Sequence, residues 1–509
     1  MLYVSILVEL LRSRPALAAL LAAGMQALVW LLVPTLFYAG PPGDVPLVLA
    51  IGHEFQLGSF LGPPLAFWLG ELAFDFAGGH LIGVYALAQV CVVATYWTVF
   101  LLGRAIVGPQ HATLAVLLMV GIAAFTVPTP DFGPALLAMP LWTLVLLHYW
   151  HAVRDGQRAY WLALVIESGL LLLTTYLGLL LLALLVGFTV ANSRARALLR
   201  SYDPLLAIVI IIVLIGPYLA WLIHSGIAPF RTAELAGAAT GWLQRLVLIG
   251  AAHAGLVVLV GLVAGWPWPR QEPAPIIVRR PVDAFARDFV YFFALAPAAL
   301  GSLVAVILGW SGPMGGIAPL LVLSGLAVVL AAGDAISLRR QHIVIAAWFG
   351  LLLVPAAMAA SSAFVLPWLN SDLRIAQPFE AMGLFFSENF ERRTGAPLKI
   401  VGGDLRTAAL VALGAPTRPS VFIDAAPQRS PWVSMDRLRS QGAILLWPTS
   451  DTAGTAPPTI AERFPQLVPE VPRVFARRVQ GRLPLVRIGW AVIRPKTEEP
   501  IELPYPENR

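Results

Sequence analysis

The chain is short of charge. Of its 509 residues only 12% are Asp, Glu, Lys or Arg and 58% are hydrophobic, whereas soluble domains carry about a quarter charged residues. Mean hydropathy is +0.78. This excludes an ordinary soluble enzyme and leaves a polytopic membrane protein. Cysteine is nearly missing: Cys91 stands alone inside an apolar run. No disulfide framework can close within one chain, and thiol-based metal or redox chemistry lacks a second ligand. Lysine is confined to Lys399 and Lys496. No G-x-G-x-x-G or Walker pattern occurs, and no D-x-D metal pair stands in a soluble context. Neither a cofactor nor a metal is implied. The pI near 9.7 invites a nucleic-acid reading, but the arginines sit in short blocks between apolar runs, so no nucleic-acid partner is expected.

Apolar stretches of about 17–24 residues suit helices crossing a hydrocarbon core of about 30 Å. They fall near Ala16–Tyr38, Leu81–Leu102, Ala112–Val127, Ala135–Tyr149, Tyr160–Leu173, Tyr176–Val190, Leu205–Ile223, Leu246–Trp266, Phe289–Trp310, Ile317–Ala332 and Ile343–Val365, which makes about eleven spans. The first reads as a retained span rather than a cleaved leader, because it is long enough to cross and no small-residue cleavage site follows it. The 16 tryptophans suit interfacial belts. With a cytoplasmic N-terminus, the inner segments hold Arg12, Arg14, Arg104, Arg154, Arg158, Arg194, Arg196, Arg279, Arg280 and Arg340 among others, and the outer loops of the membrane region only Arg231 and Arg245. That asymmetry places the segment after the first span outside, and the C-terminal region with it. The inner linker Trp266–Asp288 is rich in Pro and Arg, and Arg279–Arg280 are expected at anionic headgroups. Most acids cluster at outer span ends. Glu167 alone falls within a span, with no partner legible.

The first outer loop, residues 39–80, is too polar to span. Its segment Gly43–Gly70 holds Asp44, His53, Glu54 and Gln56, then Pro63–Pro64 and Trp68. Two helices are expected to lie there on the membrane surface, Pro46–Leu57 and Leu65–Phe76. The proline pair divides them, since proline cannot donate a backbone hydrogen bond and restricts its predecessor. Glu71 and Asp75 stand one turn apart on a common face of the second. The third span ends in FTVPTPDFGP, where Pro128 and Pro130 stop the helix and present Asp131 on the same outer side. The competing reading of Asp44 is a helix N-cap before Val45–Pro46.

This loop resembles the first extracytoplasmic loop of the GT-C glycosyltransferases, above all the family 39 type related to protein mannosyltransferases and to the aminoarabinose transferase of lipid A. The family carries an Asp just after the first span, a Pro-Pro or Lys-Pro step about nineteen residues on, then an aromatic-rich helix. Asp44, Pro63–Pro64 and LAFWLGELAF match in order and spacing. The family's frequent acid directly after the Asp is Val45 here. Asp131 matches a second acidic position, and GLLLLTTYLGLLLL is similar to a further family stretch in which Thr175 replaces a basic residue. The resemblance covers residues 1–200 well and the rest by architecture.

It implies a bacterial inner-membrane enzyme, N-terminus cytoplasmic and C-terminal domain periplasmic. The enzyme would move a sugar from a polyprenyl-phosphate donor to a hydroxyl of a lipid or glycan acceptor. That reaction needs a base for the hydroxyl proton and a cation for the departing phosphate. Asp44 is the candidate base, and partial burial raises a carboxylate's pKa toward that task. Asp131 is placed to orient the acceptor or share its proton. Substrate contacts are assigned to His53, Glu54, Pro63, Pro64 and Glu71. Arg231 and Arg245, in or beside the loop Ile223–Arg245, suit a lipid phosphate because guanidinium pairs with phosphate in a fork.

The chain divides at about residue 367. Residues 1–366 form the membrane domain. In 367–509 charge returns and apolar runs shorten to strand length: PLKIVGG, SVFID, AILLW, VFARRV and LVRIGWAVI. Helical stretches Phe379–Arg393, Asp404–Leu413 and Met435–Gln441 accompany the first three, which predicts a small α/β domain with a largely parallel sheet. Gly402–Gly403 reads as a turn rather than a phosphate loop. Two other functions compete: a lipid or polysaccharide transporter, which would place ionisable groups at mid-membrane, and a non-catalytic envelope scaffold, for which Asp44 would be dispensable.

Overall fold

The computed structural model describes residues 2–227, 238–265, 275–309, 316–338 and 340–496. The chain separates into two compact units, Met1–Val48 with Phe55–Leu366, and Leu49–Glu54 with Pro367–Arg509.

In the first unit α1 (Leu2–Ser13) leads into α2 (Pro15–Phe37), the short loop helices α3 (Val45–Gly52) and α4 (Leu65–Phe76), then α5 (Ile82–Val107) and α6 (Pro109–Met119). They are followed by α7 (Pro134–Asp155), α8 (Arg158–Leu172), α9 (Leu177–Ala191), α10 (Asp203–Ser225), α11 (Ala238–Ala252) and α12 (Ala254–Ala264). A strand β1 (Ile276–Val278), α13 (Ala284–Ile307), α14 (Ser324–Ala331), β2 (Ala335–Ser337) and α15 (Gln341–Val365) complete it. Prolines at the first turns of α2, α6, α7 and α10 start helices where the missing N–H costs nothing. α2, α5 and α7 form the centre, and Trp30, Tyr96, Phe100, Phe125 and Trp142 are fully buried there.

Among the described residues, α2, α5, α7, α10, α13 and α15 are long and apolar enough to cross a membrane, and α11 with α12 make a seventh such span bent by 45°. The other segments read as spans are helical but shorter. α6 has 11 residues and α8 and α9 have 15 each. At 1.5 Å per residue these reach about 16–22 Å, less than the core of about 30 Å. Backbone breaks cause the shortening. After α6 the chain turns at Gly121, whose carbonyl accepts from Leu256 N at 2.8 Å, just past the bend between α11 and α12. His253, at that bend, bonds the Ile249 carbonyl at 2.7 Å and Ser324 Oγ at 2.9 Å. Glu167 now has a partner: His148 Nδ1 of α7 lies 2.8 Å from its Oε2, and Tyr160 stacks on His148.

The inner linker is not loose where it is described. β1 pairs antiparallel with β2 as a small ribbon. Arg279 is not at headgroups: its side chain is 5% exposed and lies 3.2 Å from Asp334. It donates to the Leu330 and Gly333 carbonyls at the end of α14, where a cation also meets the negative end of the helix dipole.

The second unit holds α16 (Phe379–Thr394), β3 (Ile400–Gly403), α17 (Leu405–Gly414), β4 (Ser420–Ile423), α18 (Met435–Gln441), β5 (Ala443–Pro448), α19 (Pro458–Ala461), β6 (Glu470–Phe475) and β7 (Val486–Ile493). Its sheet runs β4-β3-β5-β7-β6. The first three strands are parallel, each crossing back through a helix. β7 and β6 are antiparallel, because no helix returns the chain between them. Only that half of the sheet departs from the parallel reading. Phe422, Leu445 and Trp447 anchor the core on one face. Gly402–Gly403 is not the turn expected from sequence but the end of β3, paired with Phe422–Ile423 and Leu445–Leu446; Asp404 then caps α17 by accepting from Thr407 N at 3.0 Å, which fills the place an anion would take.

Candidate active site

The Asp131 carboxylate meets the backbone of Asp44. Asp131 Oδ1 accepts from the Asp44 backbone N–H at 2.8 Å. The preceding residue makes this possible. Gly43 has φ +49, and a Cβ there would stand 1.8 Å from Asp131 Oδ2. Glycine is therefore required twice, for the left-handed turn and for the carboxylate lying against it. Asp44 is 7% exposed and its carbonyl accepts from Leu47 N and Val48 N at 2.9 and 3.0 Å, so it also heads α3. The capping position and the meeting of acids are one arrangement.

The loop bearing Asp131 is built from short-range turns: Thr129 N to Thr126 O, Asp131 N to Pro128 O, and Phe132 N to Pro130 O. Two amides reach it from spans. Gln26 Nε2 of α2 donates to the Phe125 carbonyl at 2.7 Å, and Gln89 Nε2 of α5 to Thr129 Oγ1 at 3.4 Å. Tyr85 of α5 lies close enough to Asp131 and Tyr38 to interact electrostatically with both. Gln26, Gln89, Tyr38 and Tyr85 were not among the residues singled out from sequence. The legible signal was two amides inside otherwise apolar spans.

α4 closes the site from the side. Gly70 packs on Val48 and Phe132, and Leu65 N donates to the Leu173 carbonyl at the break between α8 and α9. Pro63 and Pro64 are buried directly before this helix, and Trp68 Nε1 donates to Gln56 O at 2.9 Å. Glu71 and Asp75 do not share an environment. Glu71 is 1% exposed, within the face formed by Phe67, Gly70 and Phe74, while Asp75 lies beyond its edge in the open. Thr175 is buried, and its Oγ1 accepts from Leu177 N at the start of α9 at 3.3 Å. Tyr176 and Tyr218 are joined hydroxyl to hydroxyl, and Tyr218 and Trp221 pack on Gly58.

The remaining candidates are less gathered. His53 and Glu54 are half-buried in the turn at the far end of α3 from Asp44. Arg245 is half-buried on α11, and Arg231 lies outside the described residues. His224, at the end of α10, is exposed and bonds its own helix at Ala220 O.

Residues 62–221 match the family model of the dolichyl-phosphate-mannose-protein mannosyltransferases. No curated protein matches the chain significantly in sequence. Among solved structures the chain is similar to ArnT from Cupriavidus metallidurans bound to undecaprenyl phosphate. The TM-score is 0.58 at 12% identity, over 93% of this chain and 97% of that one. It is also similar to the oligosaccharyltransferase AglB from Archaeoglobus fulgidus, in complex with an inhibitory peptide and a dolichol-phosphate. There the TM-score is 0.43 at 12% identity, over 83% of this chain and 65% of that one. The chain thus shares the multi-pass helical fold of that ArnT structure, and the segment similar to the mannosyltransferase family includes Pro63, Pro64, Glu71 and Asp131 and begins after Asp44.

Proposed function

We propose that the chain transfers a sugar from a polyprenyl-phosphate donor to a hydroxyl of an envelope acceptor (lipid A, core oligosaccharide, another glycolipid or a protein), with inversion and with Asp44 as general base. The observation that carries this reading is the 2.8 Å contact between Asp131 and the Asp44 backbone. Two acids from separate loops are held at one bundle end by a glycine that admits nothing larger. The names of the matched family and of the ArnT complex both involve polyprenyl phosphates, which supports the donor class.

Asp44 takes the acceptor hydroxyl proton as that oxygen bonds to the anomeric carbon. The bond from that carbon to the phosphate oxygen breaks on the opposite face, and polyprenyl phosphate leaves. Asp131 fixes the Asp44 backbone, so the base is held in place before substrate arrives and little orientation is lost on binding. Arg245 and Arg231 receive the phosphate charge, and His53, Glu54 and Glu71 complete the sugar site. The arginine distribution supports a bacterial inner-membrane location, with the N-terminus cytoplasmic and the carboxylates and C-terminal unit periplasmic.

Purified protein given a polyprenyl-phosphate sugar is expected to transfer it, and to ignore the corresponding nucleotide sugar. Asp44→Asn is expected to fold normally and lose about 10²–10⁴ in turnover. Transfer from the nucleotide sugar, or wild-type turnover by Asp44→Asn, overturns the reading.

A further inference from the structure

At the end of the helical unit opposite the carboxylates lies a cavity of about 700 Å³. It is walled by α1, the first half of α2, α6, the last turns of α12 and α14, β2 and the first half of α15. Among the described residues its only polar lining side chains besides the Trp348 indole are Ser337 and Gln341, and Trp348 already donates to Leu117 O at 3.0 Å. Water finds almost no partners in such a space, yet its volume falls in the range of about 300–1,000 Å³ that holds organic ligands.

The cavity has a direction. On α2 its lining runs from Ala18 to Met25, and on α15 from Gln341 to Phe349. At 1.5 Å per residue these runs span about 11–12 Å, and Arg14 lies about one further turn toward the surface. Half of a hydrocarbon core of about 30 Å is about 15 Å, so the cavity reaches through most of one leaflet. Its shallow end is cationic. Arg12 follows the lining residue Leu11 and reaches the Ile276 carbonyl of the ribbon at 3.4 Å. Arg14 is exposed, and Arg340 directly precedes Gln341. Arg340 sits at the N-cap of α15, and the positive end of that helix dipole faces the same place.

We propose that this cavity holds an acyl chain of an anionic glycerophospholipid from the adjoining leaflet, with its phosphate at Arg12, Arg14 and the start of α15. An apolar slot through most of one leaflet suits an acyl chain; a long polyprenyl chain exceeds it. A zwitterionic headgroup would gain less from three arginines.

The test is native mass spectrometry of the full-length protein released from micelles doped with palmitoyl-oleoyl phosphatidylglycerol, the matching phosphatidylcholine, or undecaprenyl phosphate. One phosphatidylglycerol should be retained in preference to both others. Arg12→Gln with Arg14→Gln should weaken retention about tenfold to thirtyfold, since each arginine near an anionic surface is worth about 1 kcal/mol. Ala18→Phe and, separately, Ala332→Phe fill the slot from opposite walls and should each reduce retention while both arginines remain. Equal retention of phosphatidylcholine, preference for undecaprenyl phosphate, or unchanged retention in the arginine variant or in both filled variants overturns the proposal.

Discussion

At one end of α2 stand Asp44 and Asp131; at the other, β1, β2 and Arg279. Both ends join segments distant in sequence, and both do so with a charged side chain. Arg279 is buried: it bonds two carbonyls of one helix end and lies beside Asp334, and almost none of it is exposed. Asp131 Oδ1 takes the backbone N–H of Asp44, and the side chain stays half-exposed. A cation whose donors meet carbonyls lowers the cost of burying helix ends. The same device, a charge tying loops to a bundle, is structural at one end and a candidate catalyst at the other.

The sharpest way to break this comparison is Gly43→Ala. The new methyl would overlap the Asp131 carboxylate and push the two loops apart. Turnover of polyprenyl-phosphate sugar per folded molecule is expected to fall about 10²-fold, the cost of a misplacement near 1 Å, with a lowered thermal midpoint from the strain of alanine at positive φ. Retained turnover would show that the two acids need not touch. Arg279→Gln tests the other end. It should cost about 1.5–3 kcal/mol of stability, as for a lost charge-assisted hydrogen bond, read as a lowered Tm in detergent, while turnover per folded molecule stays at wild type. A fall in turnover without a fall in Tm would erase the distinction between the ends. Gln89→Leu is the mildest. Its single 3.4 Å bond to Thr129 predicts a loss of about 0.5–1.5 kcal/mol and a small rise in KM for acceptor, measured by varying acceptor at saturating donor.

Much of the fold was legible because apolar runs and their punctuation are local. Pro134 and Pro204 start helices where the sequence says so, and Leu65–Phe76 and Met435–Gln441 hold to the residue. What was not legible depends on partners far along the chain. Glu167 looked stranded until His148 appeared beside it on the neighbouring helix. Glu71 and Asp75 share a helical face in sequence, but Val48 and Phe132 packing at Gly70 decides where that face ends. β7 turns antiparallel because of a connection, not because of its own residues. At the site, it was the family resemblance carried by order and spacing that paired Asp44 with Asp131. The role of Gly43 was hidden, since nothing in the sequence shows what lies against a glycine.

The hydrogen bond from Leu256 to Gly121 bears on how the protein is made. Hydrocarbon leaves no solvent to satisfy an interrupted helix, so each break needs a partner inside the protein. Here the partner of one break is another, and the two lie on opposite sides of a long stretch of chain. During synthesis the turn at Gly121 enters the membrane long before α11 and α12 exist. Its carbonyl must wait on a borrowed donor, a chaperone or a water-filled passage until they arrive. Helices inserted later thus complete earlier ones.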